Sequence, residues 1–146
     1  MGMRTEFFFR AELEEFDGPL VDWFDRYANH EHVNPGPFDN HDFFKTDRWR
    51  SVIWGGEAAY IQTRGLGFNR GNKQHHERPE LFIHSSLKNY GSEIDSFVEW
   101  IVPFIHGFPG DFLGYSLYED SRPSGWYGDD GPDQDRPGLI FYPPRT

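Results

Sequence analysis

The histidines of this chain could hold a metal ion if the fold brought them together. His30 and His32 lie two residues apart, and His75 lies in a later polar stretch. Imidazole and carboxylate groups together suit zinc, nickel or iron. None of these histidines has the HxxxH or HExxH spacing that places two ligands on one helical face. We therefore predict solvated loop histidines and no cofactor. The alternative is a divalent-metal site at His30, His32 and His75, as in a small metal-dependent hydrolase.

A glycine-rich stretch, residues 64–79, concentrates positive charge on an otherwise acidic chain. Its basic residues are Arg64, Arg70, Lys73 and Arg78. A phosphate-cradling glycine loop opens a helix whose N-terminus faces the anion, whereas here the sequence predicts a following strand. Two interpretations stay open: a solvated loop, or a loop that binds an anion or contacts a partner.

Other residue types with catalytic potential lack the surroundings that catalysis needs. Acidic pairs such as Asp129-Asp130 fall in segments rich in Gly and Pro, which do not hold two carboxyl groups at a fixed separation. Ser85 and Ser86 follow His84 without the glycine pattern of a nucleophile elbow. We expect Ser85 on the inner face of a strand, with a local hydrogen bond. The sequence predicts no catalytic residue and favours a protein that is not an enzyme.

The segment 119–136 combines acidic and aromatic residues and is the best candidate for a partner-binding surface. Its carboxylates outnumber its basic side chains. In such a surface the rings anchor the partner and the carboxylates steer its approach. The alternative is a solvated loop whose Trp126 packs back onto the protein. The predicted contact residues are Trp126, Tyr127, Asp129, Asp130, Asp133 and Asp135.

Two helices are predicted from apolar residues at helical spacing. The first covers residues 18–28, with Asp17 as its N-cap, and ends by Asn29. The second begins after Ser92, which we predict to cap it, and Pro103 should kink or end it because proline lacks the N–H that a helix needs.

The remaining pattern predicts strands. Alternation over residues 4–13 places Phe7 and Phe9 on a buried face and Phe8 on the polar face. Residues 49–63 are predicted to form a hairpin around Gly55-Gly56. Further strands are predicted at 81–87, 112–119 and 139–142. The order β-α-β-β-β-α-β-β predicts an α+β fold in which one mainly antiparallel sheet of about six strands carries two helices on one face.

Composition bounds the function. The 146 residues include 15 Phe, 7 Tyr and 5 Trp, carry a net charge of −10 and contain no cysteine. This predicts one domain over residues 1–146, with Met1-Gly2 as a cloning remnant, in the cytoplasm. The charge disfavours nucleic acid, and no stretch is apolar enough to span a membrane. We expect a small acidic protein-binding module that docks on a basic partner surface, such as a stoichiometric inhibitor or immunity-type protein from a phage or bacterium.

Overall fold

One antiparallel sheet of six strands organises the computed structural model, which describes residues 5–29, 31, 34–36, 38–54, 65–88, 91–118 and 138–143. The strands are β1 (Thr5–Leu13), β2 (Leu66–Asn69), β3 (Glu80–Leu87), β4 (Ile105–His106), β5 (Phe112–Tyr118) and β6 (Gly138–Phe141). Their order is β2-β3-β1-β5-β6, and β4 pairs with the end of β1. The predicted α+β class with a single antiparallel sheet is confirmed.

Three helices lie on one side of this sheet, which we call the inner face. They are α1 (Pro19–Ala28), α2 (Trp49–Trp54) and α3 (Glu93–Ile101). Phe97 of α3 packs edge-on against Phe7 and Phe9 of β1, with ring centroids 5.7 and 5.3 Å apart. Phe24 of α1 stacks on Phe68 of β2 at 5.8 Å. These contacts confirm that the two predicted helices share one face.

Aromatic side chains from all three helices form the middle of the core. Trp23 of α1 lies 6.2 Å from the ring of Trp49 in α2 and 6.2 Å from that of Trp100 in α3. A short 3-10 helix at Asp42–Lys45 adds Phe43 and Phe44, which both contact Trp100. Large rings bury about 150–250 Å² each, so they supply the apolar area that a modest aliphatic content cannot.

Two sequence predictions of local structure are wrong. Trp49–Trp54, predicted as the first strand of a hairpin, is helix α2, and the remainder of that hairpin lies outside the described residues. Its buried residues Trp49, Val52 and Ile53 have i, i+3, i+4 spacing, which is helical. The glycine-rich stretch, predicted as a loop, contains β2, where Leu66 and Phe68 alternate with smaller or polar residues.

The sequence predicted where α1 and α3 end, but it did not predict how their N-termini are capped. Helix α1 is capped by Gly18 rather than Asp17, because the backbone there has φ 134°, which favours glycine. Ser92 is the N-cap residue of α3, but its side chain makes no capping hydrogen bond. The buried Glu93 instead accepts a 2.9 Å hydrogen bond from the N–H of Gly91, just before the helix. As predicted, α3 ends at Ile101, before Pro103.

Candidate functional site

The opposite side of the sheet, which we call the outer face, carries aromatic side chains that the described helices do not cover. Strand alternation turns Phe8 of β1 to this side, and the antiparallel register aligns it with His84 of β3 and Tyr115 of β5. The exposed apolar residues of the outer face are Phe82 at 45%, Phe112 at 40%, Leu139 at 57% and Phe141 at 49%. A contiguous patch of this kind is typical of an interaction surface.

The rings of the outer face are packed against one another. Phe8 stacks on Tyr115 with centroids 5.6 Å apart and an interplanar angle of 9°. Phe82 meets the other side of Phe8 edge-on at 5.2 Å. Phe112 packs against Phe141 at 5.9 Å, where β5 and β6 pair. These neighbours limit the rotamers of the exposed rings, so a partner would meet an ordered surface.

A polar cluster lies within the aromatic patch. The hydroxyl of Tyr115 donates a 2.6 Å hydrogen bond to Oε2 of Glu6, and Nε2 of His84 lies 3.1 Å from the same oxygen. Burial, together with the hydrogen bond to Glu6 and its negative charge, raises the pKa of Tyr115 to about 12. The phenol therefore stays protonated at neutral pH and acts as a donor to Glu6, not as a base.

A groove with a volume of about 530 Å³ opens at one end of the outer face. The groove forms where the neighbour of β1 changes. Strand β5 pairs with β1 as far as Phe9, and strand β4 pairs with β1 from Glu12 onward. At this point β5 also carries a bulge between Phe112 and Gly114 in its pairing with β6. The groove-lining side chains with polar or aromatic groups are Arg10, Glu12, Glu80, Phe82, His106, Asp111 and Phe112.

The basic side chains of the glycine-rich stretch contact different parts of the protein. Arg70 donates to Asp22 and Asp25 of α1 at 2.5 and 2.9 Å, and these hydrogen bonds raise its pKa. Arg78 donates to the carbonyl oxygen of Glu14 at 2.6 Å, and its guanidinium lies 5.2 Å from the centre of the Phe16 ring. Lys73 lies exposed in a 3-10 turn, and Arg64 is outside the described residues. Anion binding by this stretch stays a prediction, but the charge of Arg70 is already paired.

Among the predicted metal ligands, the structure describes His75 alone, which is exposed in the same 3-10 turn. His30 and His32 lie outside the described residues. Within the described ranges, no three His, Asp or Glu side chains lie close enough together to hold a metal ion. No described observation therefore supports the hydrolase alternative.

The predicted partner-binding segment also lies outside the described residues, with all six of its named contacts. Its two ends are covalently fixed, because residues 119–137 join Tyr118 of β5 to Gly138 of β6. Those strands are neighbours in the sheet and contribute Tyr115, Leu139 and Phe141 to the outer face. The segment is therefore attached to the strands that carry three of the four exposed apolar side chains of the outer face, Phe112, Leu139 and Phe141.

Ser85 is placed as expected but bonded differently. It is fully buried on the inner face, opposite Phe7. Within the described residues its hydroxyl has no hydrogen-bond partner, so the expected local hydrogen bond is wrong. No nucleophile arrangement surrounds it, and its surroundings are those of a core residue.

The outer face was missed in the sequence because its apolar residues are interleaved with polar ones. Phe8 on the polar face of β1 was the visible signal, and Phe82 between the buried Leu81 and Ile83 was a second one. Each looks like an isolated exception along its own strand. Only the register, which brings Phe8 beside Phe82 and Tyr115, reveals a patch.

Comparison of the whole chain with known protein families, curated proteins and solved structures finds no match. No helix within the described residues is long and apolar enough to cross a membrane.

Proposed function

We propose that this chain is a protein-binding module that docks through the outer face of its sheet on a partner with a basic surface. The observation that carries the proposal is the cluster of Phe82, Phe112, Leu139 and Phe141, each 40–57% exposed on one sheet face. Aromatic residues at the centre of an interface supply most of its binding energy.

The charges around the patch favour a basic partner. Glu6, Glu12 and Glu80 face outward on β1 and β3, and Arg10 is the basic residue among them on these two strands. The whole chain carries a net charge of −10. Acidic surfaces speed association with basic partners and repel acidic ones. A cytoplasmic stoichiometric inhibitor or immunity-type protein, encoded by a phage or bacterium, would use such a face to cover a basic functional surface.

The acidic aromatic segment belongs to the same proposal as a second contact. Trp126 would anchor it and the carboxylates of Asp129, Asp130, Asp133 and Asp135 would steer the partner. Replacing these four with Asn should lower mainly the association rate, whereas Trp126→Ala should raise the dissociation rate. Unchanged rates in both variants would remove the segment from the interface without affecting the proposal for the outer face.

The experiment begins with capture of a partner from a host lysate and then measures binding kinetics of variants with that purified partner. Phe82→Thr removes an exposed ring but keeps a β-branched residue suited to a strand. We expect its affinity to fall at least about tenfold, mostly through faster dissociation. Val102→Thr is the matched control, because Val102 is a partly exposed apolar residue on the helix side.

The two variants separate surface contact from general destabilisation. Thermal melts should show that both proteins fold, and the affinity of Val102→Thr should stay within about twofold of wild type. Wild-type affinity of a folded Phe82→Thr protein would reject the outer face as the contact surface. Equal losses in both variants would attribute the effect to stability and reject it as well.

A further inference from the structure

The groove at the end of the outer face is lined by two glutamates at directly opposite strand positions. Glu12 of β1 and Glu80 of β3 are directly paired across the strands, so their side chains lie on the same side of the sheet as neighbours. Like charges at directly opposite positions destabilise a sheet. Both side chains are exposed and line the groove, so a charge that entered it would meet them.

Among the described residues, neither basic side chain of the groove lining, Arg10 or His106, forms an ion pair with Glu12 or Glu80. The guanidinium of Arg10 lies over the ring of Phe112, 6.0 Å from its centre, and has no carboxylate within salt-bridge distance among the described residues. On the other edge of β1, His106 of β4 is paired with Glu12. The imidazole of His106 contacts a different carboxylate, since its Nδ1 lies 2.7 Å from Oε2 of Glu14. Within the described structure, the Glu12 and Glu80 pair is left without a compensating cation.

The walls beside this pair are aromatic. Phe82 follows Glu80 by two residues on the outer face and packs edge-on against Phe8, so the ring is held in place. Asp111 adds a third carboxylate to the lining, and one of its oxygens accepts a 2.9 Å hydrogen bond from the N–H of Phe108. Rings beside carboxylates suit a planar guanidinium or an ammonium with an apolar stem, since both the stem and the charge find partners.

We propose that this groove receives an arginine or lysine side chain of the partner, with its stem along Phe82 and its charged head between Glu12 and Glu80. The inference rests on the proposed function, because it names the partner group that the outer face binds. The lining charges disfavour an anion. The lining has three carboxylates and one guanidinium, and that guanidinium already contacts the ring of Phe112. A positive charge at this position would interact favourably with both carboxylates.

The test uses a tripeptide probe, acetyl-Gly-Arg-Gly-amide, titrated into the ¹⁵N-labelled protein. The matched peptide with citrulline keeps the shape of arginine and removes its charge. We expect saturable shifts at the amides of residues 10–12 and 80–82, and affinity for the citrulline peptide at least about tenfold weaker. A third peptide with Glu in place of Arg should cause no shifts at these amides.

Two double variants test whether the carboxylates of Glu12 and Glu80 recognise the charge of the peptide. Glu12→Gln combined with Glu80→Gln should lower the affinity for the arginine peptide at least about fivefold, because both negative charges are removed while the side chains keep their shape. Asp95→Asn combined with Glu99→Gln is the control, since these exposed acids lie on α3 and carry the same total charge. An equal loss in the control would indicate attraction by net charge alone and overturn the inference.

Two further results would overturn it. Equal binding of the arginine and citrulline peptides would show that charge is not recognised, and preferential binding of the Glu peptide would assign the groove to Arg10 and an anion. Either result leaves the kinetics of Phe82→Thr with the captured partner unaffected. Failure of this inference is therefore distinguishable from failure of the proposed function.

Discussion

At the scale of single residues, Tyr115 connects the aromatic patch to its polar cluster. Its ring stacks on Phe8, and its hydroxyl donates to Glu6 at 2.6 Å. Burial disfavours the charged form of the phenol, and ionisation would also break the hydrogen bond to Glu6 and place a second negative charge beside it, so the pKa rises from 10.0 to about 12. The hydrogen bond to Glu6 therefore holds the Tyr115 ring in place, and the hydroxyl that donates it stays protonated at physiological pH.

An ultraviolet difference titration tests this assignment. The titration of the wild-type protein should include a component near pH 12 from Tyr115, and Tyr115→Phe should lack that component. The raised pKa stabilises the fold fully below pH 10, and that contribution is lost as the pH rises to about 12. The stability advantage of wild type over Tyr115→Phe should shrink across this interval. A difference curve centred near pH 10 would contradict both the burial of Tyr115 and its hydrogen bond to Glu6.

Ser85 gives a second prediction for one residue. Its buried hydroxyl has no partner within the described structure, and such a group costs about 1–3 kcal/mol when it leaves water. Ser85→Ala should therefore raise the free energy of unfolding, by about 1 kcal/mol, in urea denaturation. Ser86→Ala, at the neighbouring buried position, is the control and should not be stabilised. A destabilised Ser85→Ala protein would mean that the hydroxyl has a partner.

At the scale of secondary structure, the position of Gly114 decides how closely β5 approaches β1. A Cβ atom there would collide with the carbonyl oxygen of Phe8, which is backbone and cannot move without opening the ladder. This close approach lies next to Tyr115, whose ring stacks on Phe8. We therefore expect Gly114 to set the position of the Tyr115 ring on Phe8.

Substitution of glycines in two strands tests this role. Gly114→Ala should lower the free energy of unfolding by about 3 kcal/mol or more, because the clash is with backbone. Gly67→Ala in β2 is the matched control, since its Cβ would lie 3.7 Å from the Cβ of Phe82, an ordinary contact. We expect the control to change stability by at most about 0.5 kcal/mol. Equal effects of the two substitutions would contradict the close approach at Gly114.

The sequence predicted the long elements well, and of the short ones it predicted β6 but not α2, β2 or β4. Helices α1 and α3 and strands β1 and β3 have enough turns or alternations to define a period. Helix α2 spans 6 residues and β2 spans 4, so tertiary packing decides their conformation. The candidate site was hidden for a related reason, because cross-strand neighbours such as Phe8 and Phe82 are far apart in sequence.

At the scale of the whole molecule, charge sets which partners can approach. The net charge of −10 repels phosphate, and nonspecific binding to nucleic acid depends on releasing counterions from it. We expect no gel shift of DNA or RNA at micromolar protein and about 150 mM salt. Retardation under these conditions would contradict the preference for a basic partner and direct attention to the basic stretch at 64–79.

The fold also gives the molecule two unlike sides. The inner face is covered by α1, α2 and α3 around a shared aromatic core, whereas the outer face keeps four large apolar side chains 40–57% exposed. Photo-crosslinking with benzoylphenylalanine tests this asymmetry most directly. The crosslinker is placed at position 82 or 139 on the outer face and at position 99 on α3, and the captured partner is added to each purified protein. The account predicts crosslinks from 82 and 139 and none from 99; crosslinks from 99 alone would contradict it.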